Sequence, residues 1–329
     1  MGRFPFVQFY PTLRCNQGCS FCFNIGTPDA VSYRGMNVQD ARLLGNLLIK
    51  AGVPEVDVLG GEPLLIPWIK DFVKEMTDSG ISVHISTNGS LPEIVDDLSG
   101  IQTDLMNIGF SIHGFSKTHN SLTRASNFSK ALLGVRGMVE NGRNPIVKSV
   151  LTGQNMREIS ELVAYLKDIG VKRYFLLHED IIGRQKTTAR FSFPGFREFF
   201  TRLKESFDGF LDVGFVAASG FYKYGTKSPG RCDAGVRKIA IMPDGSVFPC
   251  NLFSGLSEFR LGNIFQDSLN RIWESPLLDY FRKYTGGNRC KRVDCKYYST
   301  CTGGCPAHSY FFCGNPDDVD PRCLGETNI

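Results

Sequence analysis

Residues 6–22 read Phe6-Val7-Gln8-Phe9-Tyr10-Pro11-Thr12-Leu13-Arg14-Cys15-Asn16-Gln17-Gly18-Cys19-Ser20-Phe21-Cys22. The first five are a β-rich run and predict a strand. The rest predict a loop carrying three thiols within eight positions. Three thiolates this close, with Gly18 letting the loop curl, can hold three corners of a [4Fe–4S] cube. A fully protein-ligated cube takes four cysteines, and no fourth lies near in sequence. One iron is then open to an outside ligand. Zinc is the competing reading, but structural zinc sites are closed by four ligands, usually paired C-x2-C units.

Downstream, strand and helix signals alternate. Asn37 can cap a helix over residues 38–51, with Leu43, Leu44, Leu47 and Leu48 at helical spacing. A strand over Glu55–Leu59 ends at Gly60-Gly61-Glu62-Pro63, and a helix near 66–79 follows. Strand Ser82–Ser86 ends at Thr87-Asn88-Gly89. A further helix leads to strand Leu105–Ile112, then come a helix over 128–141, strand Pro145–Leu151, a helix near 155–169 and strand Arg173–His178. Six strands alternating with helices predict an α/β fold with parallel crossovers, a partial (β/α)6 TIM-like barrel. Chemistry in such a fold sits at the C-terminal ends of the strands. The cysteine loop, the Gly-Gly-Glu-Pro segment and Thr-Asn-Gly all fall there.

The composition narrows the function classes. Of 329 residues, 42% are hydrophobic and 12% aromatic, which excludes general disorder. Net charge is +4, with 37 basic against 33 acidic side chains, too small and dispersed to imply nucleic acid. No run of 18 apolar residues predicts a membrane span. The N-terminus lacks a signal-peptide pattern, and Phe6 stands where myristoylation wants Ser or Thr. A cytoplasmic protein is expected. There are 11 cysteines, none between Cys22 and Cys232. Without an export signal, that clustering favours metal or iron–sulfur ligation over disulfides.

C-x3-C-x2-C after the first strand of a (β/α) barrel resembles the radical S-adenosylmethionine superfamily, over about the first 185 residues. In that family the open iron is chelated by the amino and carboxylate groups of S-adenosylmethionine. The resemblance implies that Cys15, Cys19 and Cys22 bind the cluster and that Phe21 lies near the adenine. It places Gly60, Gly61, Glu62 and Pro63 around the methionyl amino group, and Ser86 and Asn88 toward the ribose and methionine. Ser111 with Arg124 resembles the pair that holds the methionine carboxylate. Where relatives often read Ser-Leu-Asp-Gly, this chain has Ser111-Ile112-His113-Gly114. His113 is read either as touching substrate or moving protons, or as a hydrogen-bonded, partly buried side chain. The implied chemistry is reductive cleavage of S-adenosylmethionine to a 5′-deoxyadenosyl radical, which abstracts a hydrogen atom. The electron would come from a flavodoxin or ferredoxin type reductant.

Residues 186–230 form a bridging region. Phe191, Phe193, Phe196, Phe199 and Phe200 crowd its start. A helix near 195–207 followed by a loop or hairpin is expected there.

The last part, 231–329, is a small cysteine-rich C-terminal domain. Cys232, then Gly245 and Cys250, then Cys290, Cys295, Cys301, Cys305 and Cys323 resemble the SPASM extension, with Asp244-Gly245 as a hairpin turn. Two features depart from its pattern: four residues separate Cys290 from Cys295, and Cys313 is additional. The resemblance puts Cys232, Cys250 and Cys305 on a first auxiliary [4Fe–4S] cluster, and Cys290, Cys295, Cys301 and Cys323 on a second. Cys313 completes the first cluster, donates a hydrogen atom to a substrate radical, or is an inert thiol. A two-zinc tail is the alternative.

The extension is most common on enzymes that modify peptides or proteins by epimerisation, oxidation, thioether formation or crosslinking. Only fourteen residues precede Cys15, so leader-driven maturation is expected to need a separate leader-recognition protein. The alternative substrate is a small molecule such as a sugar or aminoglycoside, acted on by a radical epimerase or dehydrogenase. A second alternative is an iron–sulfur electron carrier or scaffold with no substrate of its own.

Overall fold

The computed structural model describes residues 6–24, 35–182, 191–221, 232–283 and 293–323. Strand β1 (Phe6–Phe9) leads into the cysteine loop. Helix α1 (Val38–Ala51) starts where Asn37 Oδ1 accepts the Asp40 N–H at 2.8 Å and stops at Gly52, whose φ of +67° suits glycine. It buries Leu44 and Leu48, each worth about 1.5–3 kcal/mol of transfer from water, whereas Leu43 is left exposed.

Then follow β2 (Glu55–Val58), α2 (Ile69–Asp78), β3 (Ser82–Thr87) and α3 (Pro92–Ser99). Strand β4 (Met106–Ser111) is followed by two helices, α4 (Ser116–Thr123) and α5 (Phe128–Glu140). The sequence predicted only the second of these. Strand β5 (Ile146–Leu151), α6 (Ile159–Asp168) and β6 (Arg173–His178) complete the six expected units.

The sheet does not stop there. Helix α7 (Phe193–Ser206) crosses over to β7 (Asp212–Val216), parallel to β6, where a loop or hairpin was expected. Gly214 hid this strand from propensity, because glycine interrupts a β pattern. Its place is steric: a Cβ there would lie 2.5 Å from the Phe175 ring on β6.

At the other edge, β8 (Lys238–Ile241) pairs parallel with β1, and its hairpin partner β9 (Ser246–Phe248) and then β10 (Gly262–Asn263) continue antiparallel. Among the described residues one ten-stranded sheet results, in the order β10-β9-β8-β1-β2-β3-β4-β5-β6-β7. The hairpin turn falls at Asp244-Gly245 as predicted, with Gly245 at φ +81°. Among the described residues, three short α-helices follow: α8 (Leu269–Trp273), α9 (Asp279–Arg282) and α10 (Pro306–Cys313). No described helix is long and apolar enough to cross a membrane.

The main core fills the space between sheet and helices, and a second one packs Tyr10, Met242, Phe248 and Phe281 around Cys250 and Cys305. The bridging phenylalanines are core, since Phe193, Phe196 and Phe200 are buried and Phe193 stacks on Phe221 at 4.4 Å.

Candidate active site

The cysteine loop is clamped from two sides. On one side Gly61 N–H donates to Thr12 C=O at 2.9 Å and Glu62 N–H to Arg14 C=O at 2.8 Å. This approach needs glycine, since a Cβ on Gly61 would lie 2.0 Å from the Arg14 carbonyl oxygen. On the other side Gly18 N–H bonds Thr123 C=O at 3.1 Å and Ser20 N–H bonds Leu122 C=O at 2.9 Å. These carbonyls belong to the last turn of α4. That helix ends at Arg124, whose φ of +52° is the only positive value of a non-glycine among the described residues. The Arg124 side chain lies over Gly18. Ser111 closes β4, half-buried.

Glu62 is 1% exposed. Its carboxylate accepts from Leu64 N–H (3.0 Å), Thr87 Oγ1–H (2.8 Å) and Asn88 N–H (2.7 Å). Burial outweighs these three donors and lifts its pKa to about 7. Asn88 in turn reaches the loop. Its Nδ2 donates to Asn16 Oδ1 at 2.8 Å and lies 3.9 Å from Cys15 Sγ. Thus the ends of β2 and β3 both hold the segment that carries Cys15.

A buried relay stands behind Asn88. Its carbonyl accepts from Asn127 Nδ2 at 2.9 Å. Asn127 Oδ1 is 3.0 Å from His119 Nε2, and His119 Nδ1 accepts the His113 N–H at 3.2 Å, so Nε2 carries the proton. The His113 ring accepts Val150 N–H through Nδ1 and meets Phe21 edge-on at 4.6 Å. Burial first, then His119, push its pKa well below the usual imidazole range. His113 is therefore a neutral, hydrogen-bonded framework residue supporting Phe21.

Ser86 is engaged from within the barrel by Lys148, whose Nζ donates to its Oγ at 2.9 Å. Sequence reasoning did not single out Lys148. The one signal for it is Gly109, whose missing side chain leaves room for the lysine: a Cβ there would lie 2.5 Å from Lys148 Cε.

In the tail, Cys232, Cys250 and Cys305 line one cavity of about 430 Å³ together with Gln8, Asp180, Lys238 and Arg322. Gln8 comes from β1 and Asp180 from just past β6, so the barrel mouth and these thiols share a chamber. Burial pushes the Cys232 thiol up to about 12 and Cys305 higher still. Bare thiolates are costly here, and a cationic iron centre is what holds such sulfurs deprotonated. The donor set fits a cluster.

Cys295, Cys301 and Cys323 line a second, small hollow with Phe193, Phe221 and Tyr297. Cys290 lies outside the described residues. Cys313 is not brought to either group. It is exposed at the far end of α10, a rise of ~12 Å from Cys305 at ~1.5 Å per residue.

Two family profiles match the chain. The Radical SAM superfamily matches residues 9–169, and SPASM, an iron-sulfur cluster-binding domain, matches residues 232–306. The protein belongs to the radical S-adenosylmethionine superfamily and carries a C-terminal SPASM domain. Its cofactors are [4Fe–4S] clusters and S-adenosylmethionine.

Among its relatives is the antilisterial bacteriocin subtilosin biosynthesis protein AlbA of Bacillus subtilis, 26% identical over 308 residues. The match covers 91% of this chain and 66% of AlbA, just under two thirds of that relative's length. An AdoMet-dependent heme synthase of Methanosarcina barkeri is 24% identical, with 95% and 94% covered. The crystal structure of Streptococcus suis SuiB bound to S-adenosylmethionine superposes with a TM-score of 0.77 at 21% identity, covering 97% of this chain and 77% of SuiB. At that identity the likeness is one of fold.

Proposed function

We propose that this protein uses radical S-adenosylmethionine chemistry to abstract a hydrogen atom from a peptide or protein substrate. The observation that carries this reading is the shared chamber, in which the barrel mouth (Gln8, Asp180) faces the Cys232, Cys250 and Cys305 thiols. Together, the cluster and S-adenosylmethionine supply one-electron cleavage of the sulfonium and hydrogen abstraction from a C–H bond.

The chain's own residues do the rest. Cys15, Cys19 and Cys22 hold the iron, and Glu62 fixes the Gly60–Pro63 turn against the loop. Asn88 sets the loop's position through Asn16, and Phe21 is braced by His113 for the adenine. Ser111 and Arg124 are assigned to the carboxylate. The largely apolar chamber wall, with Leu177, Phe215 and Phe253, keeps water from the reacting carbon. The reductant is a flavodoxin or ferredoxin type protein, and the compartment is the cytoplasm.

Peptide modification is favoured by AlbA, named for subtilosin biosynthesis, and by SuiB, whose structure has also been solved with its precursor peptide SuiA. A small-molecule substrate is the second reading, favoured by the near-complete mutual coverage with the heme synthase.

The test is an anaerobic incubation of reduced, reconstituted protein with S-adenosylmethionine and deuterated short peptides, taken first from any small open reading frame found beside the gene. Deuterium in the 5′-deoxyadenosine formed supports the peptide reading. Turnover with a porphyrin precursor but no peptide supports the second. Absence of 5′-deoxyadenosine from protein with intact clusters overturns both.

A further inference from the structure

Cys305 immediately precedes α10, and His308 stands three residues later, in the helix's first turn. His308 is completely buried. Its Nε2 lies 3.2 Å from the backbone N–H of Ile181, a group that can only donate. Nε2 is therefore the acceptor, and the proton of the neutral ring sits on Nδ1. Asp180 Oδ1 also approaches Nε2, at 3.5 Å, but accepts its hydrogen bond from Arg322 Nη1 at 2.7 Å. That leaves Nδ1–H buried with no hydrogen-bond partner among the described residues. Such donors are rare in folded proteins, so what this one faces matters.

A ring nitrogen of His308, Cys305 Sγ and an Asp320 carboxylate oxygen all lie within 4.8 Å of one another. By composition the trio resembles a cation site, but Arg322 already fills the cation's place. Its Nη2 and Nε bond Asp320 at 2.7 and 3.1 Å, and Asp320 also accepts the Cys305 N–H at 2.9 Å and the Arg322 N–H at 2.9 Å. Both carboxylate oxygens are taken. Of the trio, the acceptor that Arg322 leaves open is the Cys305 sulfur, within 4.8 Å of a His308 ring nitrogen; as a thiol it makes no hydrogen bond with Nδ1, and as an iron-bound thiolate it would be a good acceptor.

We propose that His308 Nδ1–H donates a hydrogen bond to the Cys305 sulfur of the first auxiliary cluster and thereby raises that cluster's reduction potential. This rests on assigning Cys232, Cys250 and Cys305 to one cluster. A donor to a ligating sulfur stabilises the more negative, reduced state. His308 acts through Cys305, so it is a positioning residue. Arg322, a fixed cation on the same side, works in the same direction.

The test uses anaerobically purified holoprotein and EPR-monitored redox titration, with the first auxiliary signal identified as the one lost in Cys232→Ala. His308→Leu is expected to lower that signal's midpoint with iron content unchanged. His308→Gln, which keeps a donor and an acceptor for Ile181, is expected to restore most of it. With ¹⁵N-histidine, pulsed EPR is expected to show a weak coupling in the wild type that His308→Leu removes. Equal midpoints in all three proteins would overturn the proposal. So would loss of iron in His308→Leu with a strong ¹⁵N coupling in the wild type, since the histidine would then be an iron ligand. If His308→Leu does not fold, the wild-type coupling decides, and its absence overturns the proposal. If Cys232→Ala removes no signal, the cluster assignment itself has failed, whatever His308 does.

Discussion

Glu62 Oε2 accepts the backbone N–H of Asn88 at 2.7 Å, so a carboxylate at the end of β2 fixes the turn at the end of β3. Asn88 then bonds Asn16, next to Cys15. Glu62→Ala leaves the N–H groups of Leu64 and Asn88 and the Thr87 hydroxyl buried without an acceptor, at roughly 1–3 kcal/mol for each group left unsatisfied. Formation of 5′-deoxyadenosine is expected to fall at least about tenfold while iron per chain stays constant. Product assays and iron analysis on the same preparation check this.

The same carboxyl makes stability depend on pH. Its folded pKa of about 7 lies above the ordinary 4.5, so the folded state keeps a proton that the unfolded chain has released. Stability therefore falls as pH rises from about 4.5 to about 7, by at most about 3 kcal/mol from this group. Urea unfolding of the apoprotein across that range is expected to show the slope in wild type and to lose it in Glu62→Gln. Equal slopes would mean that the three donors keep Glu62 ionised throughout.

Gly61→Ala puts a Cβ 2.0 Å from the Arg14 carbonyl oxygen, and backbone must move. The loop ahead of Cys15 is the part displaced. Reconstituted protein is expected to lack about four iron atoms, one cube's worth, and to unfold at lower urea than wild type.

Separate thiol groups predict separable iron. Cys15→Ala and Cys305→Ala are each expected to lose about four iron atoms, and the double variant about eight. Cys313→Ala is expected to lose none, because Cys313 is exposed at the other end of α10. Iron and acid-labile sulfide analysis decides each case.

Arg322 is 4% exposed and bonds Asp320, Asp180 and the Glu179 carbonyl. Asp320 is held well below the usual carboxylate range, its burial overcome by Arg322 foremost. Arg322→Ala strands the buried Asp320 carboxylate and leaves the partly exposed Asp180 without its cation, and is expected to cost about 3–5 kcal/mol, most of it from Asp320. A thermal or urea melt of the apoprotein reads this directly, and a loss under about 1 kcal/mol would show that water or a cation replaces the guanidinium.

The six central strands were legible because their apolar runs end at glycine-rich turns, as at Gly60-Gly61 and Asn88-Gly89. Three thiols within eight residues made the first metal loop equally plain. What the sequence hid was long-range. Nothing in Lys238–Ile241 says that it pairs with β1, and Gly214 disguises β7 because the reason for that glycine is Phe175, across the sheet. The relay from Asn88 through Asn127 and His119 to His113 was hidden for the same reason. Each member looks like an ordinary polar residue until the fold buries it. Lys148 stood unremarked in a strand because only its distance to Ser86 gives it a partner.

The pairing of β1 with β8 has a consequence for biosynthesis. Phe6 lies opposite Lys238 in the register, so the strand that launches the cysteine loop gains its second neighbour only after more than two hundred further residues have left the ribosome. At ~5–20 residues per second, that edge stays open for on the order of tens of seconds. During this time it is a template for unwanted pairing. Loading iron into the nascent loop before the tail arrives would place metal on an unfinished sheet, so cluster insertion is best timed after release of the complete polypeptide.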